Sequence, residues 1–202
     1  MPGTGTVMPS SLDRTATHKT AETAQAFESL VREHYTYIRR LALSILDDGG
    51  AEASAEADDA AQETFITAYR SLAGFRGRSS LKTWLTSIAV NACRARLRKR
   101  KLRQALQTTL RGLHLSERLA SPEETAVQQE AHRHLWRAVD SLDEKHRLPV
   151  ILRYVHEMSV PEIAASLGTN EGTIHSRLHY ARKTMLDCLG SWQEEAPDEP
   201  FA

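Results

Sequence analysis

Residues 57–103 read ADDAAQETFITAYRSLAGFRGRSSLKTWLTSIAVNACRARLRKRKLR, and three successive patterns in them decide how the rest of the chain is read. The first is an acidic helical segment over about residues 57–72, with Ala61, Phe65, Ala68, Tyr69 and Leu72 on one apolar face. A loop follows, Phe75-Arg76-Gly77-Arg78-Ser79-Ser80, in a break bracketed by Gly74 and Gly77. The third is a helix over about residues 80–100 that Ser80 or Ser79 can cap, with Leu81, Trp84, Leu85, Ile88, Ala89 and Ala92 as its stripe and a basic run at its end. An acidic helix suits a protein partner, a loop flanked by aromatics suits unstacked bases, and a basic helix end suits phosphates.

Upstream, residues 1–23 are rich in Thr, Ser, Gly and Pro without apolar periodicity, and are expected to be disordered. A helix is expected from Ala24, because Phe27, Leu30, Val31, Tyr35, Ile38, Leu41, Ala42 and Ile45 recur at three- and four-residue steps. Asp47-Asp48-Gly49-Gly50 ends it, and AEASAEA reads as an acidic linker. Downstream, residues 104–121 lose amphipathic character and read as an interdomain linker.

Residues 122–190 form a second helical unit. Leu135, Trp136, Val139 and Leu142 share one face, and Leu148, Ile151, Leu152 and Val155 another, with Pro149 as an expected kink. Ser159 and Glu162 have the spacing of a capping box, Gly168 supplies a turn, Asn170 can cap, and Ile174, Leu178, Ala181 and Met185 form a stripe. Two helices around such a turn predict a helix-turn-helix. Residues 191–202 are an acidic tail. No strand alternation occurs, so the fold class is all-α: two small helical domains joined by a linker, the C-terminal one a helix-turn-helix.

The chain has 202 residues and no net charge, with 26 basic and 26 acidic side chains, but the neutrality conceals a separation. Between Leu41 and Tyr69 every charged residue is acidic, whereas from Arg94 to Arg103 every one is basic. Local clustering, not pI, sets an electrostatic footprint; two solvated helix faces are the alternative reading of the same runs. No segment approaches the roughly 18 apolar residues of a membrane span, so a cytosolic protein without a membrane partner is expected. Cys93 and Cys188 lack metal-ligand spacing and are expected as reduced thiols. The outward face of the last helix would carry His175, Ser176, His179, Tyr180, Arg182 and Lys183, suited to DNA; an ordinary helix pair in a bundle has the same periodicity. His175 and His179 have a zinc-pair spacing but no third ligand in the motif, so neither metal nor cofactor is expected.

In their order and spacing, DDAAQETFITAYRSL, FRGRSSLKTWLTSIAVNACRARLRKR and LDEKHRLPVILRYVHEMSVPEIAASLGTNEGTIHSRLHYARKTM resemble the extracytoplasmic-function (ECF) sigma factors of bacterial RNA polymerase, from Phe27 to Leu189. The resemblance implies a non-enzymatic initiation factor that directs core polymerase to particular promoters and promotes their melting. It assigns residues 24–103 to sigma region 2 and 122–190 to sigma region 4. It places Asp58, Gln62, Glu63, Phe65 and Ile66 on the clamp helices of the largest polymerase subunit, Phe65 being equally well placed for the core. The flap of the polymerase is a further implied contact. Phe75, Arg76, Arg78, Ser79, Ser80, Lys82, Asn91, Arg94 and Arg98 fall to the minus-ten element, Asn91 in the place of an Asn lining a pocket for a flipped base. Thr173, His175, Ser176, Arg177, His179, Tyr180, Arg182 and Lys183 fall to the minus-thirty-five element. An anti-sigma partner is also implied, as is association with the nucleoid when in holoenzyme. Two other functions fit parts of the pattern: a homodimeric helix-turn-helix regulator, against which residues 58–103 speak, and a small helical enzyme, for which no triad or metal cluster is recognisable.

Overall fold

Alanine makes the centre of the first half. Ala53, Ala57, Ala60, Ala61 and Ala68 are buried along one face of α2 (Ala53–Ser71), and such small side chains let helix α3 (Leu81–Leu110) approach closely. From α3 come Leu85, Ala89, Val90 and Cys93, all fully buried. The computed structural model describes residues 11–47, 52–110 and 134–195, with side chains described within 24–47, 52–103 and 134–190. Among these residues there are helices and turns and no strand.

The chain divides into two compact units, Met1–Thr36 and Tyr37–Ala202. The described part of the first is the leading portion of α1 (Ser11–Leu46), tied internally by Ser29 Oγ donating to the Gln25 carbonyl at 3.1 Å and by an exposed Arg32–Glu28 pair at 2.9 Å. This helix begins well before the expected Ala24. Residues 11–23 contain neither Gly nor Pro, and once a nucleus exists each added residue costs little. Residues 1–10 of the expected disordered segment lie outside the described residues. For the same reason α2 begins at Ala53 within the expected linker, and α3 runs past Arg103 to Leu110. The rest of the expected 104–121 linker and the start of the second domain at Pro122 lie outside the described residues.

In the second unit, helix α4 is described over residues 134–140, followed by α5 (Glu144–Val150), a π-helical turn Ile151–Val155, α6 (Val160–Leu167) and α7 (Glu171–Glu195). Asp143 caps α5 by accepting from the His146 amide. Pro149 sits inside α5 and is buried; having no N–H, it leaves one rung of the ladder unmade, and the chain widens into the π turn immediately after it. The expected kink is thus a local widening.

The helix-turn-helix is built by local chemistry. Ser159 and Glu162 make the reciprocal capping box, with the Ser159 amide donating to Glu162 Oε2 at 2.9 Å. These bonds, from the Ser159 hydroxyl first and its amide second, hold the Glu162 carboxyl below its ordinary pKa. Gly168 adopts φ +63°, ψ +40°, the left-handed geometry that favours glycine, and Asn170 Oδ1 accepts from the Thr173 amide at 2.8 Å to start α7. Ile163, Ile174, Leu178 and Ala181 close the core between α6 and α7.

Within this unit α6 lies on α3, Ser166 Oγ donating to the Thr83 carbonyl at 3.4 Å. Around that seam Tyr37 pairs its hydroxyl with Thr86 at 3.1 Å, and the His156 ring stands edge-on to the Tyr37 ring. Ser44 has one hydroxyl proton, spent on the Leu41 carbonyl at 2.9 Å, so the 2.9 Å contact with His156 Nε2 assigns the ring proton to that nitrogen. Burial first, then the charges of Arg40 and Lys82, push the His156 pKa down from 6.5 to about 4. Glu157, next to it, takes φ +55°, a strained conformation for a non-glycine residue that turns the chain back towards α6.

Candidate functional site

The acidic and basic runs that stood apart in sequence meet in space. Arg96 pairs with Glu63 and Arg100 with Glu56, while Arg100 also donates to the Leu46 carbonyl at 3.1 Å. Arg94 turns the other way, to Glu144 on α5 at 2.9 Å. These three arginines lie mostly covered, at 17 to 23% side-chain exposure, so they act first as braces of the fold. Arg98, Lys99, Lys101 and Arg103 are exposed and carry the outward positive charge of α3.

On α2 the residues assigned to a polymerase contact divide. Gln62, Glu63 and Ile66 are exposed, Ile66 by 53%, whereas Phe65 is only 6% exposed and belongs to the core. Asp58 is half-buried and held by Arg39 at 2.5 Å. Tyr69, expected inward, is 52% exposed and lies three residues from Ile66 on the same side. Helical spacing alone placed it one step too far round the apolar arc.

The loop after α2 is shaped by its ends. The Phe75 amide donates to the Leu72 carbonyl at 3.0 Å, closing the 3-10 turn Leu72–Gly74, and the Phe75 ring packs against Trp84 at 4.9 Å between centroids. Gly77 takes φ +66° in open space, leaving Arg76 and Arg78 exposed on either side. Ser79 is half-buried, and Ser80 caps α3 by accepting from the Thr83 amide at 3.1 Å. Lys82 is exposed with its ammonium over the Tyr37 ring at 4.4 Å, and Asn91 is exposed further along α3. Cys93 is buried and Cys188 exposed, both as free thiols; burial pushes the Cys93 pKa up to about 12.

Helix α7 presents His175, Ser176, His179, Tyr180, Arg182 and Lys183 to solvent, with Arg177 half-buried and Thr173 half-buried in the Asn170 cap. Tyr180 is stacked on His146 of α5 at 4.2 Å, and His146 Nδ1 in turn lies 2.6 Å from Asp143 Oδ1. Sequence reading missed this chain of contacts. Its first link was legible as an N-cap Asp with a His three residues on.

A second missed feature is an apolar groove of about 750 Å³ between α4, α5, the π turn and the end of α7. Leu135 and Val155, each read as part of an apolar helix face, are 43% and 44% exposed there, beside Tyr154 and Leu186 at 56% and 69%. The π turn rotates Tyr154 and Val155 away from the positions that a regular α-helix would give them. Among the described residues, no helix is long and apolar enough to cross a membrane.

Two family models match the chain, Sigma-70 region 2 over residues 30–103 and Sigma-70 region 4 over residues 132–185. The RNA polymerase sigma-H factor of Pseudomonas aeruginosa is 31% identical over 179 residues, covering 85% of this chain and 90% of its own length. The ECF RNA polymerase sigma factor SigM of Mycobacterium tuberculosis is 31% identical over 165 residues, 82% of this chain and 78% of its own. Among solved structures, the sigma factor RpoE of Bartonella quintana, crystallised with the anti-sigma factor NepR, superposes with a TM-score of 0.62 over 82% of this chain and 98% of its own at 23% identity. The fold is therefore that of such two-region factors. With both regions matched in the expected order, and a relative at 31% identity aligned along nearly its whole length, the chain belongs to the ECF sigma factors of bacterial RNA polymerase.

Proposed function

We propose that this sigma factor directs polymerase through four surfaces that remain reachable from solvent once the core is packed. Gln62, Glu63 and Ile66 on α2 meet the clamp helices of the largest subunit; the apolar groove beside α7 receives the flap. Arg76, Arg78, Asn91 and Arg98 serve the minus-ten element, with Phe75, Ser79, Ser80 and Lys82 shaping the loop and helix start that present them. His175, Ser176, His179 and Tyr180 read the minus-thirty-five element, while Arg177, Arg182 and Lys183 hold phosphates. Melting follows from binding alone: unstacked bases captured at the loop offset a few kcal/mol of lost stacking per base, with no covalent step and no ATP. The protein works in the cytoplasm, on the nucleoid when in holoenzyme, and an anti-sigma protein covering the outward faces of α2 and the groove would silence it.

The observation that carries this reading is Ile66. A large apolar side chain 53% exposed in mid-helix, between Gln62, Glu63 and Tyr69, has a hydrophobic anchor and polar rim of the kind that a partner helix recognises. Asp58 is a poor probe of that surface, because replacing it removes the Arg39 pair as well. The test is therefore Ile66→Asp, measured by competition with the parent for core polymerase. Loss of competition with unchanged helicity by circular dichroism supports the assignment; undiminished competition refutes it.

A further inference from the structure

We propose that Asp143 and His146, which precede the helix-turn-helix, are positioning residues for Tyr180 and thereby help to set which minus-thirty-five sequences the factor accepts. This rests on the reading of α7 as the DNA-facing helix. The three side chains form a relay. Asp143 Oδ1 lies 2.6 Å from His146 Nδ1 and also accepts from the His146 amide at 3.2 Å, so one carboxylate oxygen holds both the backbone and the ring of the same residue. A carboxylate only accepts, so Nδ1 carries the proton and the plane of the imidazole is fixed. On that plane lies the Tyr180 ring, centroids 4.2 Å apart and planes 25° apart.

The exposures run in the direction that such a relay requires. The His146 side chain is 12% exposed, whereas Tyr180 is 55% exposed. Tyr180 is therefore gripped on one side and open on the other. An exposed tyrosine on a helix otherwise samples several rotamers and loses that freedom on meeting DNA. Stacking on a ring that is itself pinned removes much of that loss before binding, and it does so for one orientation only. A residue held in one orientation discriminates between base pairs; a mobile one adapts to several.

The experiment uses holoenzyme and a duplex library randomised across the upstream and downstream promoter elements, from which the parent holoenzyme and each variant select their preferred sequences. His146→Ala and Tyr180→Ala should relax preference at the same minus-thirty-five position, by roughly threefold to tenfold, the range of an aromatic pair. The double variant should relax it no further, since both single changes break one relay. His146→Phe, which keeps a stacking ring, should restore most of the preference, and the slope of affinity against salt should stay unchanged throughout. Asp143→Asn keeps the helix cap but weakens the hold on the ring, and should give a smaller relaxation of the same kind; it also serves as a second probe if His146→Ala unfolds. A relaxation from Tyr180→Ala that His146→Ala fails to reproduce would overturn the relay while leaving α7 as the reader. A uniform loss of affinity in His146→Ala, with sequence preference intact, would overturn it as well. If His175→Ala and Ser176→Ala also leave preference unchanged, the underlying DNA-reading assignment fails instead.

Discussion

Helices α3 and α7 both begin at a capped turn, both carry cations and both belong to surfaces assigned to DNA, yet they use those cations differently. In α3 the arginines at 94, 96 and 100 are turned to Glu144, Glu63 and Glu56, whereas Arg98, Lys99, Lys101 and Arg103 face outward. In α7, Arg182 and Lys183 are exposed, as are the two histidines. A basic run is therefore not by itself a nucleic-acid patch. Whether a cation braces the fold or faces a ligand depends on which face of its helix meets an acid from elsewhere in the chain.

The largest effect that would sharpen this contrast is in α3. Arg100→Ala should cost about 2 kcal/mol of stability, the size expected when a part-buried, charge-assisted bond to Glu56 and a bond to the Leu46 carbonyl are lost together. Arg98→Ala, a neighbour on the exposed side, should stay within about 0.5 kcal/mol. Urea denaturation of both variants measures the difference, and equal costs would erase the distinction between the two sides of α3.

Next in size is the capping box that fixes α6. Ser159→Ala should destabilise by about 1 kcal/mol, because the Glu162 amide loses its acceptor. Since that cap is local to the helix-turn-helix, the same substitution should leave competition for core polymerase through α2 unaltered. A calorimetric melt and the competition assay together check it.

A smaller effect should appear on acidification. His156 is held neutral, its pKa lowered from 6.5 to about 4, so the unfolded chain binds its proton first as pH falls. The stability associated with neutral His156 is present above pH 6.5 and is lost as pH drops through 4. Between pH 6.5 and 5, before most carboxylates titrate, the melting temperature of the parent should decline, and that of His156→Gln should decline less. Parallel declines would show that the imidazole is not the responsible group.

The least visible change in stability should come from α7. Lys183→Ala should leave the melting temperature unaltered, but lower the salt dependence of promoter binding by about one unit for the lost phosphate contact. A salt titration of holoenzyme on a selected promoter decides it. Together with Arg100→Ala, it separates cations that hold the protein together from cations that hold DNA.

What could be read without coordinates was whatever depends on near neighbours. The capping box of Ser159 and Glu162, the left-handed Gly168, the Asn170 cap and the Ser80 cap all involve residues a few positions apart, and each stands in the structure as its spacing implies. The two-region order of the family was legible for the same reason, in motifs each carried by a continuous stretch. Helix ends were less legible. Where no Gly or Pro intervened, propagation carried α1, α2 and α3 beyond their amphipathic stripes.

Tertiary structure alone decided which charges were internal. Glu56 and Arg100 are 44 residues apart, and nothing in either local pattern says that they meet. It also decided that Tyr69 faces outward, that the π turn opens an apolar groove at Val155, and that Tyr180 rests on His146. Local propensity and capping act over one or two turns of chain and are written in consecutive residues. The choice of face, partner and exposure is made when helices pack, where one solution must satisfy every buried charge and fill every gap at once.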